Sequence, residues 1–345
     1  MRAVFYDSFR KAPMVKNLPD PVPRPDGVVV RVRATGLCRS DWHGWMGHDS
    51  DVQLPHVPGH EFAGEIAAVG QAVKSWRVGD RVTAPFCLGC GTCVQCQAGH
   101  QHICDHYEQP GFTYWGSFAE FVLVPHADTN LVRLPEKVDY AQAALLGCRF
   151  ITAFRAVIDQ GRLRPGEWVA VHGCGGVGLS ALMIAKAAGA QTIGIDIEQE
   201  KLNFARQAGA DHVIHGRMEK NVPQAVQDLS AGGAHLSIDA LGSAQTCSNS
   251  IACLRKQGRH VQVGLLGKLA GPELPVGRII SRELEILGSH GMPAHRFDTL
   301  FAMIASGQVD PSRLLGQTIS LEEAPAALMA MGQFTGTGVT LIVMD

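Results

Sequence analysis

Between about residues 150 and 290 the chain repeats one pattern: a short apolar run, then a longer segment of helical character. Trp168–His172, Gln191–Asp196, His212–Ile214, Leu236–Ala240, Arg259–Val263 and Leu284–Leu287 are six such runs. Each is short enough to be a buried strand. Segments such as Gly178 to Ala188 and Gln199 to Ala208 have helical composition and separate several of them. Strands that alternate with helices in this way are the mark of a doubly wound parallel sheet. This alternation predicts an α/β fold for that part of the chain.

The first run is followed at once by Gly173-Cys-Gly175-Gly176-Val177-Gly178. A bare G-x-G-x-x-G string says little in a chain with 39 glycines. A strand before it and a helix after it are the context that a dinucleotide-binding loop requires. Gly173 then allows the tight turn, Gly175 to Val177 bring backbone N–H groups to a pyrophosphate, and Gly178 lets helix and strand pack closely. Asp196 ends the second run, where a carboxylate can accept hydrogen bonds from ribose hydroxyls and repel a 2′-phosphate. That predicts NAD rather than NADP as cofactor. The alternative is an aspartate that only caps a turn.

The first 150 residues read differently. Gly27–Ala34, Glu65–Val69 and Phe118–Val124 are short β-branched or alternating runs bounded by Pro25, Gly70, Gly79 and Pro125. They suit a small barrel or sandwich. The last sixty residues, ending in the apolar run Val339–Met344, are too few for a domain and are expected to rejoin the first. The predicted domains are therefore 1–150 with 288–345, and 151–287.

Ten cysteines need a place. No apolar run approaches the roughly 18 residues of a membrane span, and Met1–Asp7 has no signal-peptide core, so a cytoplasmic location is expected. Thiols in a reducing compartment favour metal binding or catalysis over disulfides. Cys90, Cys93, Cys96 and Cys104 lie within one short loop, and four thiolates so placed can close a tetrahedral shell around a structural Zn²⁺. Disulfides, an iron–sulfur cluster or free thiols are the competing readings. Cys38, His60 and Cys148 could form a three-ligand zinc site with an open fourth corner. Their spacing decides nothing, because buried cysteines often serve as small hydrophobes and lone histidines as core residues.

Taken in order, Cys38 to His43, Gly59 to Val73, the four-cysteine loop, Cys148 and the glycine loop closely resemble the zinc-dependent medium-chain alcohol dehydrogenase family, across nearly the whole chain. The resemblance implies a Rossmann domain beside a β-rich GroES-like catalytic domain. It implies two zinc ions per chain, with Cys38, His60 and Cys148 as catalytic ligands. Glu61 looks like a carboxylate that can approach the metal, Asp41 like the one that orients His60, and Ser40 and His43 like a proton relay. Arg39 resembles a pyrophosphate contact, Thr152 packs at the nicotinamide position, Lys201 lies near the ribose, and Val263 joins the cofactor contacts. Phe86 matches a substrate-pocket wall, and Trp45, Phe112, Trp115 and Met292 are further candidates. The implied reaction is reversible hydride transfer from a primary or secondary alcohol to NAD, giving an aldehyde or ketone. Cys148, which polyol and threonine dehydrogenases lack, leans the chain toward simple alcohols.

Charge narrows the partners. Thirty basic against 32 acidic residues give a formal charge of −2, with no basic tract to neutralise phosphates, so a nucleic-acid partner is not expected. A zinc-ribbon adaptor or a non-catalytic nucleotide-binding protein of this fold is the competing class, and would hold one zinc instead of two. The chain length resembles that of bacterial family members that form tetramers, so a homotetramer is expected, with a dimer as fallback.

Overall fold

A computed structural model describes residues 1–266, 273–333 and 338–344, and the chain divides into two compact units. One comprises 1–151, 291–306 and 310–345; the other comprises 152–290 and 307–309. Of the domain ranges read from sequence, positions 267–272, 334–337 and 345 lie outside the described residues.

The second unit is built on six parallel strands: β1 Trp168–His172, β2 Gln191–Asp196, β3 His212–His215, β4 Ala234–Asp239, β5 Leu254–Gln262 and β6 Glu285–Gly288. Their order across the sheet is 3-2-1-4-5-6, with all neighbours parallel. This is a doubly wound Rossmann sheet, whose strand order reverses next to β1 and leaves a crevice at the carboxyl ends there. The central strands carry continuous buried runs, Val169–His172 and Leu236–Asp239, as sheets covered on both faces require. Helices α1, Gly176–Ala187, and α2, Gln199–Ala208, follow β1 and β2.

Several boundaries shift by a residue or two from the sequence reading, and two of the differences have a clear local cause. Helix α1 starts at Gly176 rather than Gly178, because Gly175 is extended and serves as the N-cap. Strand β5 begins at Leu254, not Arg259. Buried Leu254 pairs with Ala234, but the exposed Lys256-Gln257 step, with Gln257 at φ 58°, interrupts the apolar pattern and hides the strand's first half.

The first unit is organised by one long strand, Val28–Leu37. It pairs along its length with Phe62–Val69 on one edge. On the other edge its first half meets Phe121–Val124 and its second half meets Val339–Val343, all antiparallel. The C-terminal strand therefore completes the sheet begun by the N-terminal residues. Val28, Val30 and Val32 alternate into a core with Phe62, Ile66, Val82, Val122 and Val124. The strand expected from Phe118 is regular only from Phe121. Its first residues pair elsewhere: Phe118 O accepts from Val4 N, and Ala119 bridges Ala3.

Candidate metal centres and nucleotide loop

Strand Val28–Leu37 runs directly into Cys38 and a short helix, Arg39–Trp45. Asp41, buried in its first turn, reaches back to the helix start. Its Oδ2 accepts from Cys38 N at 2.8 Å, and its Oδ1 accepts from Gly59 N at 3.1 Å and from His60 Nδ1 at 2.9 Å. One carboxylate thus caps a helix, fixes the Gly59 loop and sets the imidazole tautomer. With Nδ1 donating to Asp41, His60 Nε2 is left as an acceptor, and Ser40 Oγ lies 3.1 Å from it. Burial alone would lower the proton affinity of His60. The charge and hydrogen bond of Asp41, with Cys38, outweigh that and raise it.

Cys148 arrives from a π-helical turn, Leu146–Phe150, a distortion often found at functional positions. One donor atom each from Cys38, His60, Glu61 and Cys148 lies within 4.8 Å of the others. Cys148 donates to Cys38, which holds the Cys38 thiol well below its ordinary value and pushes Cys148 up. Glu61 divides its two oxygens. Oε2 accepts from Arg149 Nη2, while Oε1 is buried with no hydrogen-bond partner and stands 4.0 Å from His60 Nε2. Burial pushes the Glu61 carboxyl up to about 7, even though Arg149 pulls it down. An orphaned buried acceptor beside two sulfurs and a ring nitrogen fits a zinc ion. The rings of Phe86 and Phe112 stand edge-on to His60, 6.2 and 5.4 Å away between centroids.

Arg149 was not singled out in the sequence. The signal was there: it is a lone charge within the apolar stretch Ala143–Phe154. Its Nη1 donates to Leu37 O, so the same guanidinium braces the strand end and Glu61. Other candidates lie in different surroundings. Trp45 is packed with Val4, Tyr6, Leu37 and Phe118, its indole N–H donating to Lys11 O. Trp115 packs against Ala3, Val57 and Ala119, and its N–H donates to Pro55 O. Met292 is fully buried, and its carbonyl accepts from Cys87. Arg39 donates to Met331 O at 2.7 Å and lies over the ring of Trp42. His43 Nδ1 meets His48 Nδ1 at 3.0 Å.

The four-cysteine loop forms a second cluster, Cys90, Cys93, Cys96 and Cys104. None of these thiols is in a disulfide. Cys93 and Cys104 sulfurs are 3.7 Å apart, close to the ~3.8 Å edge of a tetrahedron with Zn–S of about 2.3 Å and far beyond a disulfide's ~2.05 Å. Backbone N–H groups point at the sulfurs: Cys93 to Cys90, Cys96 to Cys93, and Cys90 and His106 to Cys104. Hydrogen bonds from Thr92 pull Cys90 down to about 5. Donors aimed at sulfur suit thiolates held by a cation. Buried Asn130 anchors the loop's entry, accepting from Gly89 N and donating to Gly89 O and Pro125 O.

In the second unit Gly173 has φ 93°, a left-handed conformation that favours glycine. Gly178 cannot carry a Cβ without striking the Gly173 carbonyl, and at Gly175 a Cβ would meet nothing within 4 Å. The space over the loop is open at the N-terminus of α1, as an anionic group requires. Asp196 Oδ2 accepts from Cys174 N at 2.8 Å, and its Oδ1 accepts from Ile197 N and Glu198 N. It therefore ties the glycine loop to β2 and also caps the turn after it. Lys201 lies in α2, and Val263 follows β5, its N–H bonded to Asp239 O. Thr152 Oγ1 is buried with no hydrogen-bond partner.

Comparison with known proteins agrees with these features. The family model for the alcohol dehydrogenase GroES-like domain matches residues 24–136, and that for the zinc-binding dehydrogenase matches 176–306. An NAD-dependent alcohol dehydrogenase of Sulfurisphaera tokodaii is 34% identical over 99% of this chain and 100% of its own. A sorbitol dehydrogenase of Halalkalibacterium halodurans is 31% identical over 96% of both. The solved structure of alcohol dehydrogenase TADH from Thermus sp. ATN1 superposes with a TM-score of 0.92 at 32% identity, covering both chains fully. The chain belongs to the zinc-dependent medium-chain alcohol dehydrogenase family.

Proposed function

We propose that the protein is a zinc-dependent alcohol dehydrogenase that moves a hydride from a primary or secondary alcohol to NAD, giving an aldehyde or ketone, and runs in both directions. The observation that carries this reading is the donor set of buried Cys38, His60 and Glu61 with half-buried Cys148, His60 being oriented by Asp41, in a chain that also holds a dinucleotide loop. Zinc bound there supplies Lewis acidity toward the alcohol oxygen. The protein's own work is positional. Asp41 holds the His60 tautomer, Arg149 takes one oxygen of Glu61, and Phe86 and Phe112 wall His60 with apolar edges. Ser40 and His43 carry the proton that the alcohol loses.

NAD is held by the N–H groups of Gly175, Gly176 and Val177, with Asp196 and Lys201 at the ribose, Arg39 at the pyrophosphate, and Thr152 and Val263 at the nicotinamide end. The unpartnered Thr152 hydroxyl supports that assignment, and the Asp196 carboxylate favours NAD over NADP. A second zinc in the four-cysteine loop is structural. The substrate class remains small alcohols, with Phe86 and Phe112, the rings that meet His60, as pocket walls, while Trp45 and Trp115, packed in apolar clusters, are set aside. A cytoplasmic homotetramer is the proposed form; among the described residues no helix is long and apolar enough to cross a membrane.

The test is NADH absorbance with primary, secondary, cyclic and aromatic alcohols, alongside metal analysis. The expected result is two zinc ions per chain and NAD reduction that is lost in Cys38→Ala together with one zinc. Protein with both metals bound that reduces NAD with none of these alcohols would refute the assignment.

A further inference from the structure

The helix that carries Ser40 and Asp41 also carries His43, and the chain folds back at its end. His48 N donates to His43 O at 3.0 Å, and this return brings the two rings together with Nδ1 to Nδ1 at 3.0 Å. The pair is held in place from one side. Trp42 stands edge-on to both rings, 4.9 Å from His43 and 5.6 Å from His48, and the Arg39 guanidinium lies 4.7 Å over the Trp42 ring.

A separation of 3.0 Å is that of a nitrogen–nitrogen hydrogen bond. Two imidazoles sharing a tetrahedral metal would stand about 3.3 Å apart, given N–metal bonds of about 2.0–2.1 Å. Among the described residues no third ligand joins these two in a metal cluster. A hydrogen bond between two Nδ1 atoms requires one ring to carry its proton on Nδ1 and the other to present a lone pair there. If His43 is the donor, its Nε2 is free to accept a proton.

We propose that His48, exposed to solvent as His43 is, is a further carrier in the proton path, a positioning residue that sets the His43 tautomer and passes its proton to solvent. The proposal rests on the dehydrogenase reading above, because it needs a proton released by the alcohol. The step balances without any co-reactant. A proton arrives at His43 Nε2, the Nδ1–H of His43 moves to His48 Nδ1, and the Nε2–H of His48 goes to water. One proton enters, one leaves and neither ring keeps a charge; the rings end in swapped tautomers and return to the starting ones by proton exchange with the solvent to which both are exposed.

The electrostatic surroundings favour the neutral form of His43. Burial, then Arg39 and His48, lower the proton affinity of His43, against a smaller raising effect of Cys38 and Asp49. A relay must release what it accepts, and a ring held below its ordinary value does so near neutral pH.

Two measurements test this on the zinc-loaded enzyme. Long-range proton–nitrogen correlation spectra of the imidazoles should show one of the two rings in the Nδ1–H tautomer, with His43 reverting to Nε2–H in His48→Ala. Steady-state kinetics of His48→Ala should show kcat for alcohol oxidation reduced about tenfold or more near pH 6, with less loss at pH 9, and partial rescue by added imidazole. Zinc content and NADH affinity should stay at parental values. Two Nε2–H rings titrating independently would overturn the proposal. So would an unchanged pH profile in a His48→Ala enzyme whose His43→Ala counterpart is slowed, and that result leaves the dehydrogenase reading standing. A protein that turns over no alcohol overturns both, and the spectra still report whether the rings share a proton.

Discussion

Replacing Asp41 by asparagine should weaken one zinc site and spare the other. The carboxylate is buried and accepts three hydrogen bonds, one on Oδ2 from Cys38 N and two on Oδ1 from Gly59 N and His60 Nδ1. An asparagine has one acceptor oxygen and an amide that can only donate. Its better orientation keeps the oxygen toward Gly59 and His60 and turns the amide against the Cys38 N–H. One bond to a charged acceptor is then lost, about 1.5–3 kcal/mol, and no water can replace it in a buried position. The imidazole also loses its anionic partner, a change that typically lowers metal affinity 10–100-fold, or about 1.4–2.7 kcal/mol. The two estimates agree in size. Zinc removal by a chromophoric chelator, followed in the variant and the parent, measures it. The expected trace has one zinc released at 10–100-fold lower chelator strength and the second, in the four-cysteine loop, unchanged. Parental affinity at both sites would refute the assignment of Asp41 as the orienting carboxylate. Equal weakening at both would show a global loss of structure instead.

Three further outcomes follow from the geometry. Gly178→Ala forces a Cβ onto the Gly173 carbonyl and close to Val171; a clash of about 1–3 kcal/mol should weaken NADH binding by roughly 5- to 150-fold in a fluorescence titration while both zinc ions stay bound. Cys104→Ala should remove the structural zinc, lowering bound metal to one per chain and the thermal midpoint with it, as metal analysis and calorimetry would show. The bidentate pair of Arg133 with Asp80, at 2.7 and 3.0 Å, holds the Asp80 carboxyl below its ordinary value. A depressed carboxylate contributes its stability above the unfolded value of about 3.9 and loses it as pH falls through the folded one. Because Arg133 is half exposed, Arg133→Ala should cost only about 0.5–1 kcal/mol at pH 7. In urea titrations that difference from the parent should shrink as pH falls below the unfolded value of about 3.9 and vanish once the folded carboxyl is protonated.

The parallel sheet was legible because its central strands are continuous apolar runs, and α2 appears where its composition put it, Gln199–Ala208. Strand β5 was half hidden, since Lys256 and Gln257 break the pattern without breaking the pairing. The four-cysteine cluster could be read directly, as all its donors lie in one loop. Cys38, His60 and Cys148 could not be joined by spacing; only the family resemblance suggested what the folded chain brings together. Arg149 and Asn130 were missed for a common reason. Each acts on groups far from it in sequence, Glu61 and Leu37 for the first and Gly89 for the second, and periodicity carries no information about such partners. The aromatic wall was the least legible part. Ring chemistry cannot separate Phe86, which meets His60, from Trp45, which fills a core, or foresee that Phe112 does both.

The two metal clusters differ in how much chain each must close. Cys90 to Cys104 spans about 15 residues and Cys38 to Cys148 about 111, so gathering the second set costs about 1.8 kcal/mol more loop entropy. In a refolding mixture short of metal, the small loop should therefore capture the first equivalent. Reactivation would then lag behind metal uptake, and the lag would mark the time the long loop takes to close.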